Sequence, residues 1–354
     1  MTTFVQFHLL TTYGPSNPNR DDQGRPKQAM VGGSPRLRMS SQSVKRALRE
    51  SSFFALDLKD NMGVRTKRIH ESLTSKLIQD GASAKDAISA AKQVAEIFGK
   101  LEKAKDSVKP QTASTLAFIS PDEWRFAETL AAKILAGEEV PKTIDLKKEV
   151  LRRADGAIDI AMFGRMLAND ADFNRDAAVQ VAHAITTHSA QAEEDWFSAV
   201  DDLNKADETG AGHLGETAFG SGVFYQYVCV NCDLLVENLA DDRELAARGL
   251  EALAKSLAQS TPRGKQNTFA HRPRAHYILA ERGEHAPRDL SGAFFQPIKV
   301  QPWLETSVRA LEKTRDDLDR AYGQVWADKK VLHVGRSGTL DEIVTFSGQA
   351  VRGE

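Results

Sequence analysis

A run of basic residues near the start of the chain has the composition expected of a phosphate-binding site. Between Arg20 and Arg49 the sequence places eight basic residues against only two acidic ones. Glycines and prolines predict a loop for the first half, and from Ser40 onward the pattern predicts a helix with a serine N-cap. A helix start offers unpaired N–H groups and the positive end of its dipole. A basic loop leading into a helix start favours phosphate binding, whereas a solvated basic loop is the plainer interpretation.

Two further features extend this basic surface. Lys45 and Arg49 are four residues apart and share one face of the predicted helix, with Arg46 beside them. Far along the chain, the segment 263–266 (RGKQ) repeats the combination of basic side chains with a glycine that lets backbone approach a ligand closely. A plain turn between a helix and a strand explains the second segment equally well.

The histidines do not form a recognisable zinc or catalytic set. His183 and His188, like His271 and His276, are five residues apart. Zinc-binding histidine pairs on a helix are four apart and are accompanied by a glutamate. Core or surface histidines are therefore the simpler interpretation.

The remaining candidates for chemistry are equally incomplete. Cys229 and Cys232 form an isolated CxxC motif, and the strand-like residues before it favour buried structural cysteines over a redox pair. The acidic pairs at 193–194 and 201–202 favour a solvated surface over a cation site. No glycine-rich segment matches a P-loop or dinucleotide fingerprint. The sequence thus predicts binding rather than catalysis, with no metal and no cofactor.

Length and composition limit the classes of protein to which the chain can belong. The chain has 354 residues, 41% of them hydrophobic, and can bury a sizeable core. Its net charge of −2 argues against a globally basic nucleic-acid binder but leaves room for a local basic track. Two cysteines indicate a reducing compartment, and neither a signal peptide nor a membrane span is evident. We expect a cytoplasmic protein.

Strand and helix patterns intermix and predict an α+β fold with segments inserted into a sheet-based body. Ser120, followed by a proline and then by Glu123, predicts a sharp helix start. Strands are predicted at 3–11, 157–166, 178–188, 223–231 and in short pieces across 266–300; helices are predicted at 40–56, 83–104, 233–260 and 303–323. The segment 193–222 is too long and irregular for an ordinary connector, which predicts a functional or disordered loop. The last thirty residues show no assignable pattern.

Several motifs in order along the chain resemble one protein family. The motif HxLxxxxxxxxNRDD spans His8–Asp22, GGxxRxRxSSQSxKRAxR spans Gly32–Arg49, and AHAITTH spans Ala182–His188. Further motifs are GRM at 164–166, DWFxAVDDL at 195–203, HLG at 213–215, SGVFYxY at 221–227 and GKQ at 264–266. Together they resemble the backbone subunit of the type I-E CRISPR Cascade complex, the CasC family, over residues 1–270.

The resemblance implies a hand-like subunit. Its palm would have RRM-like (ferredoxin-like) topology and comprise residues 1–58, 182–192 and 224–354, with an inserted helical fingers lobe at 59–181 and an extended thumb loop at 193–223. Copies would polymerise head-to-tail along CRISPR RNA, beside other Cascade subunits, and present spacer bases for pairing with target DNA in antiviral defence. Cleavage of the target would come from a separate nuclease-helicase.

The resemblance also implies which residues hold the guide. The RNA-binding residues carried over by position are Arg20, Lys27, Arg38, Ser40, Gln42, Lys45, Arg46, Arg49, Arg165, Met166, Val200, Leu214, Lys265 and Gln266. Most would hold the sugar-phosphate backbone, which carries no sequence information, while Met166 would insert near a displaced base and Val200 and Leu214 would belong to the thumb. No catalytic residue is implied.

Two alternatives stay open from the sequence. The first is a metal-dependent endoribonuclease that processes the guide precursor, with His8 or His213 as the cleaving group. The second is a metabolic enzyme that binds a small phosphorylated ligand in the Arg20–Arg49 region.

Overall fold

A computed structural model of the chain describes residues 2–103, 109–140, 143–167, 170–199 and 213–352. The chain divides into two compact units. The sheet unit comprises Met1–Phe54, Gln180–Cys232 and Leu250–Glu354, and the helical unit comprises Ala55–Val179 and Asp233–Gly249.

Strands and helices intermix along the chain. The strands are β1 (Phe4–Ser16), β2 (Gln28–Val31), β3 (Ser34–Met39), β4 (Val64–Thr66), β5 (Ala117–Ile119), β6 (Val179–Val181), β7 (Ala184–Thr186), β8 (Glu193–Ala199), β9 (His213–Asn231), β10 (Ala275–Gly283) and β11 (Asp328–His333). The α-helices are α1 (Ser41–Arg49), α2 (Ser52–Ala55), α3 (Ile69–Gln79), α4 (Ala84–Ala95), α5 (Pro121–Leu135), α6 (Thr143–Val150), α7 (Ile158–Phe163), α8 (Cys232–Asn238), α9 (Arg243–Gln259), α10 (Gln266–Phe269), α11 (Trp303–Tyr322) and α12 (Leu340–Arg352).

The centre of the large sheet has ferredoxin-like connectivity. Its strands lie in the order β11-β10-β1-β9-β7-β3-β2, and β1 pairs antiparallel with both β9 and β10 while β7 pairs antiparallel with β9. Along the chain these elements run β1, α1, β7, β9, α9, β10. This order is the split β-α-β-β-α-β arrangement, so the predicted α+β, RRM-like fold is confirmed.

Burial explains why β1 lies at the centre. Val5, Phe7 and Leu9 on one face and Leu10 on the other are all 0–1% exposed. A strand that is covered on both faces is rich in apolar residues at successive positions, as β1 is. α1 packs through Val44, Ala47 and Leu48, which leaves its basic residues on the other side.

The helical unit is built on an alanine-rich core. Ala87, Ala91 and Val94 of α4 are fully buried against side chains of α3 and α5. The predicted helix start at Ser120 is confirmed as a capping box, in which the Ser120 hydroxyl accepts the Glu123 N–H and the Glu123 carboxylate accepts the Ser120 N–H.

Some local predictions were wrong. Residues 158–163, predicted as a strand, form the short helix α7, whose side chains are all buried, so no solvent-exposed face marked a helical period. Residues 266–269, predicted as β-like, form the single-turn helix α10, and 291–294 form a 3-10 turn. The predicted strand 178–188 is interrupted between β6 and β7, and the unassigned last thirty residues contain β11 and α12.

A two-stranded ribbon extends from the sheet. β8 pairs with the first part of β9, from Glu193 opposite Phe219 to Ala199 opposite His213. Every residue of β8 is exposed, including Trp196 at 70%. The predicted loop at 193–222 is therefore an antiparallel ribbon over its described residues.

Candidate nucleic-acid interface

Side-chain amides hold the first basic loop in place. The Asn17 amide donates to the carbonyl oxygens of Gly24 (2.9 Å) and Ala218 (2.8 Å). The Asn19 side-chain oxygen accepts the Ser40 N–H at 2.7 Å, and the Asn19 carbonyl accepts the Lys27 N–H at 2.9 Å. The loop is thereby fixed against β9 and the start of α1, so its cations need little ordering on binding.

The start of α1 matches its sequence prediction. The Ser40 hydroxyl accepts the Ser43 N–H at 3.4 Å, and Ser40 itself is only 7% exposed. Gln42 is exposed, and the two basic residues Lys45 and Arg49 are half-buried on one helical face. Arg46 is exposed and pairs with Glu50 at 2.7 Å. Four predicted site residues are therefore grouped on this one helix, with Ser40 acting as its cap.

Arg38 and Lys27 share a second part of this surface. The Arg38 guanidinium donates to His183 Nδ1 at 2.8 Å, and the Lys27 carbonyl accepts the Arg38 N–H at 2.8 Å. Burial, together with the positive charges of Arg38 and Lys27, lowers the pKa of His183. A neutral His183 can accept from Arg38, which orients the guanidinium.

Arg36, within the same basic run, is part of the core instead. It is fully buried and donates to the carbonyl oxygens of Thr186 (2.7 Å) and Phe294 (2.9 Å). Burial lowers its pKa. A Cβ on nearby Gly32, whose φ is +56°, would lie 1.7 Å from the Phe295 oxygen, so this turn requires glycine.

The segment 263–266 lies next to the first basic loop. The Gly264 N–H donates to the Pro18 carbonyl at 3.1 Å, and a Cβ there would lie 2.4 Å from the same oxygen. Lys265, with φ +51°, lines a cavity of about 440 Å³ together with Arg20 and Arg25. The structure thus brings together residues that are more than two hundred positions apart in the sequence.

In the helical unit, Met166 is presented to solvent on a rigid support. Its side chain is 84% exposed, whereas that of Arg165 is 1% exposed. The Arg165 guanidinium donates to the Glu123 carboxylate at 2.5 Å and to the carbonyl oxygens of Phe118 and Arg152. Arg165 was predicted to bind RNA; since its guanidinium is buried among these partners, the geometry favours a role in positioning Met166.

A second buried ion pair completes this support. Arg175 pairs with Asp155 at 2.8 Å, and Arg165 and Arg175 exchange two backbone hydrogen bonds of 3.0 Å. Burial alone would raise the pKa of Asp155, but Arg175, through its hydrogen bond and charge, together with hydrogen bonds from Ser120 and the Ala157 N–H, lowers the pKa overall. Gly164 begins this turn with φ +77°. An exposed methionine beside two buried ion pairs is suited to contact an apolar surface such as a base.

The ribbon carries the last predicted residues. Leu214 is 69% exposed on β9, opposite Ser198 of β8. Val200 lies outside the described residues. Gly215 lies beneath the Phe197 ring, because a Cβ at Gly215 would be 2.3 Å from that ring. The ribbon thus displays exposed apolar side chains along its described length.

The two histidines proposed as cleaving groups and the two cysteines lie in the core or outside the described side chains. His8 is fully buried, which lowers its pKa, and its Nδ1 lies 3.0 Å from the Tyr225 hydroxyl. Cys229 and Cys232 are buried thiols, and burial raises the pKa of Cys229 to about 11. The His213 side chain lies outside the described residues. A buried histidine cannot reach an RNA strand, and a protonated thiol is a poor nucleophile.

Neither a metal-binding cluster nor a membrane-spanning helix is present among the described residues. No group of three or more His, Cys, Asp or Glu side chains there could hold a metal ion. No helix among them is both long and apolar enough to span a membrane.

Comparison with known proteins assigns the chain to a family. A family model described as CT1975-like protein, a Cas family, matches residues 5–347. The chain belongs to this family.

Two solved structures are similar over nearly the whole chain. One, a chain of a CRISPR RNA-guided surveillance complex in a pre-nicking state, is 29% identical with a TM-score of 0.84, covering 97% of this chain and all of its own. Another, from a CRISPR RNA-guided surveillance complex, is 26% identical with a TM-score of 0.72, covering 95% of this chain and 93% of its own. A comparison with curated proteins finds no match.

Sequence reasoning missed several residues that the structure places beside this surface. Asn17 and Asn19 fix the loop, yet Asn17 lies at an unspecified position of the motif, and neither asparagine was among the predicted site residues. Arg272 and Arg274 fall among the short strand pieces predicted across 266–300 and were not predicted to be site residues. Two arginines around a proline, six residues beyond the predicted contact at Gln266, were the available signal.

Proposed function

We propose that this chain is the backbone subunit of a type I-E Cascade RNA-guided surveillance complex. Copies polymerise head-to-tail along CRISPR RNA, bind its sugar-phosphate backbone and expose the spacer bases for pairing with target DNA. The observation that carries the proposal is the end-to-end similarity to a chain of a CRISPR RNA-guided surveillance complex, at a TM-score of 0.84 and 29% identity.

The basic surface supports this function. Arg20, Lys27, Arg38, Lys45 and Lys265 all belong to the sheet unit and come from two loops, one strand and one helix. Contacts to phosphates set the position of a strand without reading its sequence. Such a surface suits a subunit that accepts any spacer, because base pairing then carries the specificity.

In this proposal the sheet unit supplies the palm, the helical unit the fingers and the β8–β9 ribbon the thumb. Met166 contacts a displaced base, and the apolar residues of the ribbon cover the guide beside a neighbouring copy. Other Cascade subunits end the filament, since an open head-to-tail interface does not close by itself.

We assign no catalytic role to the chain. The full burial of His8 speaks against precursor cleavage by that residue. Cleavage of target DNA then falls to a nuclease-helicase recruited by the assembled complex.

Purification of the chain with its genomic neighbours and a CRISPR array tests the proposal. We expect several copies per particle and bound RNA of one length that carries the spacer. Particles free of nucleic acid, or the chain recovered only as monomers, would contradict it. Turnover of precursor RNA by the isolated chain, abolished by His213→Ala, would favour the endoribonuclease instead.

A further inference from the structure

A second basic cavity lies in the sheet unit and is lined in part by the segment 263–266. Its volume is about 470 Å³, and three arginines line it: Arg263, Arg272 and Arg274. Ser52 and Thr261 also line it, and no acidic side chain is among its described lining residues. The cavity therefore concentrates positive charge and hydrogen-bond donors in one place.

The three guanidinium groups are not neutralised by carboxylates within the described residues. Arg263 donates to the Glu50 carbonyl at 3.0 Å, and Arg274 donates to the Gln259 side-chain oxygen. Arg272 makes no hydrogen bond or ion pair within the part of the chain that the structure describes. Clustered like charges repel one another, and a cleft lined by one sign of charge attracts counter-ions. We therefore expect this cavity to bind an anion.

Two hydrogen bonds stabilise the loop 262–271, which forms part of the cavity wall. The buried His271 donates through Nε2 to the Pro262 carbonyl at 3.0 Å, and the Gln266 amide donates to the His271 carbonyl at 3.1 Å. These two bonds close the loop that carries Arg263 at its start and Arg272 just after its end. A phosphate would thus meet cations whose backbone is already fixed, which reduces the entropy cost of binding.

The two basic cavities share a border. Lys265 lines the first cavity together with Arg20, and the adjacent Gln266 lines the second together with Arg272. A strand held at Lys265 therefore has a second anion-binding cavity directly beside it.

We infer that the cavity of Arg263, Arg272 and Arg274 holds a backbone phosphate of the nucleic-acid strand that passes over Lys265. The inference rests on the proposed function and extends it to residues outside every motif of the sequence resemblance. Guanidinium forks bind phosphate oxygens in pairs, and three guanidinium groups line this cavity. A phosphate bound here strengthens the complex without reading sequence.

The test uses the intact assembly, purified with its RNA, and the double variant Arg272→Ala with Arg274→Ala. Guide retention and binding of complementary single-stranded DNA are measured across a salt series. We expect the log–log salt slope to fall by about 0.7 per protein copy for each phosphate that is no longer neutralised. The matched control, Arg309→Ala with Arg320→Ala, removes the same charge from exposed positions of α11 and leaves the slope unchanged.

Each outcome decides the matter. A lower slope for RNA supports a guide phosphate, and a lower slope only for DNA supports a phosphate of the target strand. Unchanged slopes for both overturn the inference, and unchanged slopes with shorter particles assign the cavity to an acidic segment of a neighbouring copy. Wild-type particles without RNA would reject the proposed function itself. Arg272→Gln alone, which breaks no bond among the described residues, gives the same readout if the double variant does not fold.

Discussion

Arginines in two parts of the molecule serve opposite purposes. Arg165 and Arg175 of the helical unit are buried, and each is paired with a carboxylate, Glu123 or Asp155. Arg272 and Arg274 of the sheet unit are exposed and have no carboxylate within 4.0 Å in the described structure. In the helical unit these arginines stabilise the interior through buried ion pairs. In the sheet unit Arg272 and Arg274 are exposed and can bind an anion.

This difference teaches that a cation's role depends on what the fold places next to it. A buried guanidinium needs its carboxylate and carbonyl partners, because an unpaired buried charge costs several kcal/mol. An exposed guanidinium keeps its hydration and can exchange water for phosphate at small cost. Four experiments, taken from the largest expected effect to the smallest, test this division.

Arg165→Ala should give the largest decrease in stability. It leaves the Glu123 carboxylate buried without its partner, which costs about 3–5 kcal/mol in the free energy of unfolding. Urea denaturation measures the effect. The control Arg125→Ala breaks an exposed ion pair with Asp122 and should scarcely change the midpoint. Equal effects from the two variants would contradict the internal role of Arg165.

Asp155→Asn should weaken the protein by about 1.5–3 kcal/mol at neutral pH, the usual worth of a charged hydrogen bond. It should also change the response to acid. The folded pKa of Asp155 is below the ordinary 3.8, so its stabilisation is present above pH 3.8 and is lost as the pH falls through the folded pKa. Urea midpoints between pH 7 and pH 3 should therefore decline less in the variant. An unchanged acid response would show that Asp155 is not the responsible group.

Lys45→Ala with Arg46→Ala should leave stability nearly unchanged and weaken guide retention. Removal of two phosphate-binding cations lowers the log–log salt slope by about 1.4 per copy, equally for every spacer. The control Arg309→Ala with Lys313→Ala removes an equal charge from an exposed helical face, where Lys313 pairs with Asp317 just as Arg46 pairs with Glu50. An effect confined to particular spacers would count against backbone binding.

Met166→Ala should have the smallest effect on stability, within about 0.5 kcal/mol, because its side chain is exposed. The salt slope of guide retention should also stay the same, since no charge is removed, while total retention falls modestly. Thermal unfolding and the same salt series provide the measurements. A strong destabilisation would mean that Met166 packs internally and would remove its assignment as a base contact.

Structure was predicted most accurately from the sequence where residues close together along the chain determine it. Ser40 and Ser120 were identified as caps because a hydroxyl before a helix start has a local partner three residues on, and both caps are present. The strand predicted at 157–166 was wrong because complete burial removed the polar face that reveals a helix.

Prediction was weakest where a residue's role depends on partners that are distant in the sequence. Nothing in the residues around Arg165 indicates that its partner is Glu123, forty-two positions earlier. The grouping of Arg263 with Arg272 likewise depends on the loop closed by His271, a contact without a local pattern. The resemblance supplied the candidate positions, and the fold separates those that face solvent from those that do not.

Strand β9 has a mechanical consequence. Its nineteen residues span about 60 Å and run without a break from the ribbon into the ladder with β1. Tension applied to the ribbon along its axis would act in shear on many of the β1–β9 hydrogen bonds at once. These bonds would therefore not break one at a time. A subunit built this way resists stretching, because force on the ribbon is transmitted along β9 directly to the middle of the sheet.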